Sequence, residues 1–284
     1  LPEPNRIVVE PIVRAALLED IGHGNDITTD ATVASQRMAL ARIVARRPGI
    51  VAGVGVAMLA FRLLDASTRI DVAIGDGERV RTGDCIAEIR GRARAILTGE
   101  RTALNFLCRL SGIATATRAL VDLVAETRAR IADTRKTTPG LRALEKYAVR
   151  CGGGANHRFG LDESVLVKDN HLALTGSIRA AVAAVRAQIG HTVKVEVEVD
   201  TLEQLRAALD EPIDAVLLDN MTPAQLREAV ELVSGRVLTE ASGGVTPETI
   251  GAIARSGVDL ISVGWLTHSA PALDLGLDVE YDVT

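Results

Sequence analysis

The spacing of apolar positions changes part-way along the chain. Over residues 7–20 they recur at helical spacing, predicting an amphipathic helix that runs into Asp20 and a polar loop over Gly22–Asp30. Residues 37–46 alternate as a strand, and residues 53–64 read as a helix of small residues. Segments 69–74, 80–82 and 84–90 are short strand candidates set off by Gly75, Gly77, Gly83 and Gly91. Together these describe an α+β unit with an antiparallel sheet. A long helix follows over residues 98–126, with a break expected near Ser111-Gly112. From residue 130 the rhythm becomes strand, loop, helix. Strands are predicted near 130–134, 164–168, 193–199, 215–219, 236–240 and 259–263, with helices over 140–150, 177–188, 201–209, 223–233 and 247–256. Strand starts after residue 193 recur about every 22 residues, the spacing of consecutive β/α units.

Two architectures fit that rhythm, an open doubly wound sheet and a barrel. The segment Lys194–Asp200 separates them. Period two puts Lys194, Glu196, Glu198 and Asp200 on one face and three valines on the other. In an open sheet with helices on both faces, four charges in line would be buried against apolar helix surface. In a barrel the valines meet the helices and the charged row faces the interior and its mouth. An edge strand with one wet face is the remaining alternative. Only six units are visible, so a partial or irregular barrel is expected after the N-terminal α+β unit, rather than a regular eightfold one.

Composition narrows the chemistry. A chain of 284 residues with 47% hydrophobic content can bury one large core or two modest ones. The net charge of −5 argues against general nucleic-acid binding. The cysteines, Cys85, Cys108 and Cys151, show no zinc spacing and suit a reducing compartment. No apolar run approaches a membrane span, and Pro2-Glu3-Pro4-Asn5 stand where a leader would be basic then apolar. A cytoplasmic protein is the expectation.

Against this acidic background, Asp133–His171 concentrates Arg135, Lys136, Arg142, His157, Arg158 and Lys168 among glycines and asparagines, as in a pocket for a multiply charged anion. Arg142 sits among helix-forming residues and also reads as a solvated surface arginine. Polar residues recur where the predicted strands finish, the face on which β/α barrels place their sites. They are Arg135-Lys136, Lys168-Asp169-Asn170-His171, Glu198 with Asp200, Asp219-Asn220, Ser242-Gly243-Gly244 and Gly264. Ser242-Gly243-Gly244, ahead of a helix expected at Pro247, reads as a phosphate cradle or as an ordinary strand-to-helix turn; Gly264 on the adjacent strand favours the cradle. Glu198 and Asp219 fit magnesium or sugar hydroxyls, or else a salt bridge to Lys136 or Lys168. His157 is open between general acid, carboxylate ligand and structural histidine. No GxSxG, HExxH or Walker A pattern is present.

The segments ERTALNFLCRLSGIAT from Glu100, DTRKTTPGLRALEKYAVRCGGGANHR from Asp133, VKDNH from Val167, VEVEVDTLEQL, LLDNM, EASGG and VGWLTHSA carry a resemblance over nearly the whole chain. It is to the quinolinate phosphoribosyltransferases, also called nicotinate-nucleotide pyrophosphorylases (carboxylating). The resemblance implies an N-terminal α/β sandwich over residues 1–104, joined by the returning tail 273–284, and an incomplete α/β barrel of six or seven strands over residues 105–272. It also implies transfer of a phosphoribosyl group from 5-phosphoribosyl-1-pyrophosphate (PRPP) to quinolinate. The products would be nicotinate mononucleotide, pyrophosphate and CO2, in de novo NAD synthesis. By matching position, Arg135, His157, Arg158 and Lys168 would hold the quinolinate carboxylates, with Arg101 joining them from the other subunit of a homodimer. Lys136, Glu198 and Asp219 would meet PRPP and its magnesium, and Ser242, Gly243, Gly244 and Gly264 the 5-phosphate. The sequence departs from the family pattern at Trp265, where a smaller residue is commoner, and most widely in its first forty residues. The nearest rival is a paralogue associated with molybdenum transport, of the same fold but acting on another substrate. A barrel lyase or isomerase acting on a sugar phosphate, and a non-catalytic binding protein, are more distant.

Overall fold

The computed structural model describes residues 2–280; the last four residues of the expected tail, 281–284, lie outside them. The elements run α1 (Arg6–Ile21), α2 (Ile27–Thr32), β1 (Met38–Ala45), β2 (Gly49–Ile50), α3 (Val54–Leu64), β3 (Arg69–Val72), β4 (Arg79–Val80), β5 (Cys85–Arg92) and α4 (Ala93–Leu123). There follow β6 (Arg130–Ala132), α5 (Arg142–Cys151), β7 (Val165–Val167), α6 (Asp169–Thr175), α7 (Ile178–Arg186), β8 (Val195–Val199) and α8 (Leu202–Leu209). The chain continues through β9 (Ala215–Asp219), α9 (Pro223–Val233), β10 (Leu238–Ser242), α10 (Ile250–Ala254), β11 (Leu260–Ser262), α11 (Trp265–His268) and β12 (Leu275–Glu280). Among the described residues, no helix is long and apolar enough to cross a membrane.

Packing gathers these elements into two compact units, one of Leu1–Arg118, Thr137–Gly153 and Leu266–Thr284, the other of Ala119–Lys136 and Gly154–Trp265. These units cut across the division drawn at residue 104 from the sequence. The physical reason is that α4 continues past that point, and its Leu107, Leu110, Ile113 and Ala114 belong to the first unit's core. So do Leu144, Tyr147, Ala148 and Val149 of α5.

In the first unit an antiparallel sheet has the order β12-β1-β5-β3. Strand β12 pairs with β1 from Leu40 opposite Glu280 to Ala45 opposite Leu275. The expected break at Ser111-Gly112 is a correction: α4 is unbroken. The Ser111 hydroxyl is fully buried and accepts the Ala52 N–H at 3.0 Å. A Cβ on Gly112 would lie 2.9 Å from the Ala272 Cα, so the glycine serves close backbone approach rather than a kink. The loop expected over Gly22–Asp30 also differs, because Asp26 caps α2 by accepting the Thr29 N–H at 2.9 Å.

The second unit carries a parallel sheet of order β6-β11-β10-β9-β8-β7. Beyond β6, Ala155 adds a parallel bridge to Ala132, with its N–H on the Ile131 carbonyl at 2.7 Å. The result is the incomplete α/β barrel, six strands with a partial seventh. Val195, Val197 and Val199 of β8 are essentially fully buried, each burial contributing about 2 kcal/mol. Glu196 and Glu198 point the other way.

Side-chain caps hold the loops that leave the strands. Thr201 and Gln204 form a reciprocal cap on α8, and Thr222 and Gln225 form another on α9. Only Asp200 and Thr201 separate β8 from α8, so the strand end that bears Glu198 has little freedom. Three details at the strand ends correct the sequence reading. Residues 169–175 form α6 directly after β7, where a plain loop was expected, because the Lys168 N–H donates to His171 Nδ1 at 2.9 Å while the His171 N–H donates to the Lys168 carbonyl at 2.9 Å. Strand β10 runs to Ser242, so that serine ends the strand instead of following it. The helix expected at Pro247 begins at Ile250, after a turn in which Thr249 N–H reaches the Thr246 carbonyl at 3.2 Å.

Candidate active site

A cavity of about 260 Å³ opens at the C-terminal ends of the parallel strands. Arg135, Lys136, His157, Arg158, Lys168, Glu198, Asp219 and Ser242, eight of the residues singled out in the sequence, line it. Thr134, Leu166, Leu217, Glu240 and Ser262 complete the wall. Gly243, Gly244 and Gly264 follow β10 and β11 and do not line the cavity itself. Arg101 lies in the other compact unit, exposed on α4, and Arg142 opens α5, its Nε donating to Thr137 Oγ1 at 3.0 Å.

Apart from Lys168, which follows β7, the basic side chains come from two loops with separate anchors. Arg135 and Lys136 follow β6, where the Lys136 N–H donates to Thr134 Oγ1 at 3.0 Å. His157 and Arg158 ride on a loop tied to the fully buried Asp133 carboxylate. That carboxylate accepts Asn156 Nδ2 at 2.5 Å and the His157 N–H at 2.9 Å. The Arg158 guanidinium donates to the Ser164 carbonyl at 2.8 Å. Burial, and after it the neighbouring Arg135, push Arg158 below the usual arginine range. Repulsion between two guanidiniums lining one cavity favours a ligand that brings negative charge.

Carboxylates line the same strand ends. Glu198 accepts Lys168 Nζ at 2.6 Å, the ion pair that the sequence left open as an alternative to a metal role. Asp219 ends β9 and accepts Asn220 Nδ2 at 2.6 Å. Asn220 adopts φ 54° and Gly243 φ 91°. A side chain on Gly243 would also strike the Asn220 amide, so that position demands glycine twice over. Trp265 donates its indole N–H to the Val245 carbonyl at 3.0 Å, linking the start of α11 to the glycine turn after β10.

His157 uses both ring nitrogens. Nδ1 accepts the Arg158 N–H at 2.7 Å, which leaves the ring proton on Nε2. Nε2 faces Glu196 Oε2 at 3.2 Å and Glu240 Oε1 at 3.6 Å. Glu240, Thr134 and Ser262 line the cavity although the sequence did not single them out, and Glu196 was placed on the interior-facing row of its strand without a role. Period two offered a signal, since Glu196 shares a face with Glu198 and Glu240 with Ser242.

Cations, carboxylates and a glycine turn at the C-terminal ends of parallel strands make this the catalytic face of a barrel enzyme. Comparison with known proteins gives the same answer from outside. Residues 26–111 match the family model described as the quinolinate phosphoribosyl transferase N-terminal domain, and residues 113–278 match its C-terminal domain. The chain is 44% identical over 275 residues to a probable nicotinate-nucleotide pyrophosphorylase [carboxylating] of Bacillus subtilis, covering 97% of this chain and 94% of that one. It is 48% identical over 275 residues to the Mycobacterium leprae nicotinate-nucleotide pyrophosphorylase [carboxylating], covering 94% and 95%. The crystal structure of NadC from Streptococcus pyogenes superposes with a TM-score of 0.95 at 40% identity, covering 99% of both chains. The chain belongs to the quinolinate phosphoribosyltransferase family.

Proposed function

We infer that this protein transfers the phosphoribosyl group of PRPP to quinolinate with loss of CO2, as a carboxylating nicotinate-nucleotide pyrophosphorylase. The observation that carries the assignment to this cavity is that Arg135 and Arg158 both line it and repel one another, Arg135 adding to the fall in the Arg158 value. A planar dicarboxylate relieves that repulsion, and arginine forks match carboxylates in geometry as well as charge. The paralogous reading, another substrate on the same fold, gives no reason for so complete a cation clamp.

The chemistry follows from where the charges stand. Arg135, Arg158 and Lys168 orient the pyridine ring through its carboxylates; positioning of this kind supplies much of the rate in a two-substrate transfer. The ring nitrogen lone pair forms the bond to ribose C1 as the C1–oxygen bond breaks and its electrons leave with pyrophosphate. Lys136 meets the negative charge that grows on the departing group. The quaternised nitrogen then stabilises the electron pair left at C2 when the carboxylate departs as CO2, and a proton replaces it. His157 takes no part as a general acid here, since both ring nitrogens are engaged within the protein.

Glu198 and Asp219 suit magnesium, a hard cation that takes one or two carboxylates and completes its shell with ligand phosphates and water. When bound with PRPP, magnesium neutralises pyrophosphate charge. The same two carboxylates accept ribose hydroxyls. The 5-phosphate falls to Ser242, Gly243, Gly244 and Gly264. A homodimer in the cytoplasm, with Arg101 supplied by the partner chain, completes the reading.

The direct test follows the carbon. Quinolinate labelled at its 2-carboxylate should release labelled CO2 in one-to-one ratio with nicotinate mononucleotide and pyrophosphate, only when PRPP is present. Nucleotide that retains the label would overturn the decarboxylating reading.

A further inference from the structure

Beneath the cation clamp lies a carboxylate that the reaction above does not use. Glu240 is the middle residue of β10 and only 2% exposed. Its register partners on the flanking strands are Leu217 and Leu260, neither of which can hydrogen-bond it through a side chain. Its Oε1 has no hydrogen-bond partner and points at His157 Nε2 from 3.6 Å. The one proton on that nitrogen goes to the nearer carboxylate, Glu196, at 3.2 Å. An ionised Glu240 would therefore stand buried beside a like charge, with one of its two oxygens unsatisfied and only Ser262 hydrogen-bonding the carboxylate, an unfavourable setting for a negative charge.

We propose that Glu240 is a positioning residue held as the neutral acid under the quinolinate pocket, and that its ionisation weakens capture of the dicarboxylate. The proposal rests on the placement of quinolinate at Arg135 and Arg158. Two effects connect Glu240 to the ligand. Ionisation puts a second negative charge directly below a site that must accept a dianion. It also competes for His157 Nε2–H, whose ring holds the Arg158 N–H through Nδ1 and so sets the backbone of the clamp.

Burial, and then the charge of Glu196, push Glu240 up to about 7; His157 and Ser262 pull it back, and Asp133 adds to the rise. Those groups face it from the neighbouring elements. Glu196 comes from β8, Ser262 from β11, Asp133 from just past β6, and His157 from the following loop. Arg135, Lys136, Arg158, Lys168, Glu198 and Asp219 stand around the same cavity.

Equilibrium binding of quinolinate, measured from about pH 6 to about pH 9, tests this on the wild type, Glu240→Gln and Arg135→Ala. Both ligand carboxylates remain ionised throughout, so the ligand adds no titration of its own. Wild-type Kd should climb toward a tenfold rise per pH unit above the Glu240 transition. Glu240→Gln, neutral at every pH and of the same shape, should give a flat profile. Parallel profiles for the two proteins would overturn the proposal. Arg135→Ala that binds quinolinate like the wild type would instead overturn the placement of the ligand. Infrared difference spectra supply a readout independent of binding: a protonated-carboxyl band in the wild type near neutral pH, missing from Glu240→Gln, is expected. A divalent ion held stoichiometrically by the wild type and lost in Glu240→Gln would contradict the neutral acid, since His157, Glu196 and Glu240 would then be its ligands.

Discussion

Lys168 and Glu198 hold one another across adjacent strand ends, Nζ 2.6 Å from Oε2. One is expected on the quinolinate carboxylates and the other on PRPP, so each substrate's contact is partly occupied by the other's. The lysine side chain is 45% exposed, so the pair contributes little to stability, about 1 kcal/mol or less. Its effect belongs to binding. Lys168→Ala should raise the quinolinate KM and Glu198→Gln the PRPP KM, each by at least about tenfold. The double variant should depart from the product of the two single effects. Strict multiplicativity in a double-mutant cycle, or a melting temperature that drops sharply in either variant, would contradict this division of labour.

In the proposed reaction Lys136 meets the charge that grows during bond breaking. Lys136→Ala should lower kcat by about 100-fold or more while the quinolinate KM changes little. Arg101→Ala should also be inactive, for want of a carboxylate contact. If Arg101 serves the partner's pocket, mixing the two variants creates dimers with one wholly native site. Activity should then return to about a quarter of wild type once subunits have exchanged randomly. Mixed dimers that form, as shown by tag pull-down, yet stay inactive would place Arg101 in its own subunit's site.

Gly243 and Gly244 separate two demands on the turn after β10. Both have positive φ, 91° and 59°, but only Gly243 has the Asn220 amide in the way of a side chain. Gly243→Ala should cost about 1–3 kcal/mol of stability and raise the PRPP KM strongly. Gly244→Ala should be milder on both counts. Thermal melts with PRPP titrations check this ordering, and a Gly244→Ala variant as damaged as Gly243→Ala would reverse it.

Glu240 also links stability to pH. A carboxyl whose folded value is raised keeps its proton longer folded than unfolded. Its contribution is complete below the usual glutamate value and is lost as pH rises through about 7. Between about pH 4.5 and 7 the wild type should therefore lose up to about 3 kcal/mol relative to Glu240→Gln, with the difference levelling off above that range. Melting curves for both proteins across these pH values read the effect directly; a constant difference in melting temperature would mean that Glu240 has no raised value.

Much of this site was legible because catalytic side chains sit where strands end, and the strands announce themselves by apolar runs. The alternation in β8 separates Glu198 from the valines in the sequence itself. Glu240 was harder to see. Its strand, Leu238–Ser242, mixes threonine, glutamate, alanine and serine without a clean two-residue alternation, and a lone glutamate there resembles one more strand-end charge. Only the packed structure shows that it is dry. The misplaced break in α4 has a similar origin: Ser111-Gly112 carries a turn's composition, whereas its use is to admit the backbone at Ala272. Composition records that a glycine is needed and leaves the neighbour unnamed. Residues 137–153 read as part of the barrel for the same reason, since a helix pattern does not say which core its apolar face joins.

The central claim is that this pocket is built for two carboxylates on one pyridine ring. Purified protein supplied with PRPP, magnesium and either quinolinate or nicotinate, with products identified by mass, tests it most directly. Cations left without partners make the missing carboxylate costly, so quinolinate should be used at least about 1,000-fold better by kcat/KM. Nicotinate mononucleotide should appear with CO2 from quinolinate alone. Comparable turnover of both acids, or of neither, would contradict the account.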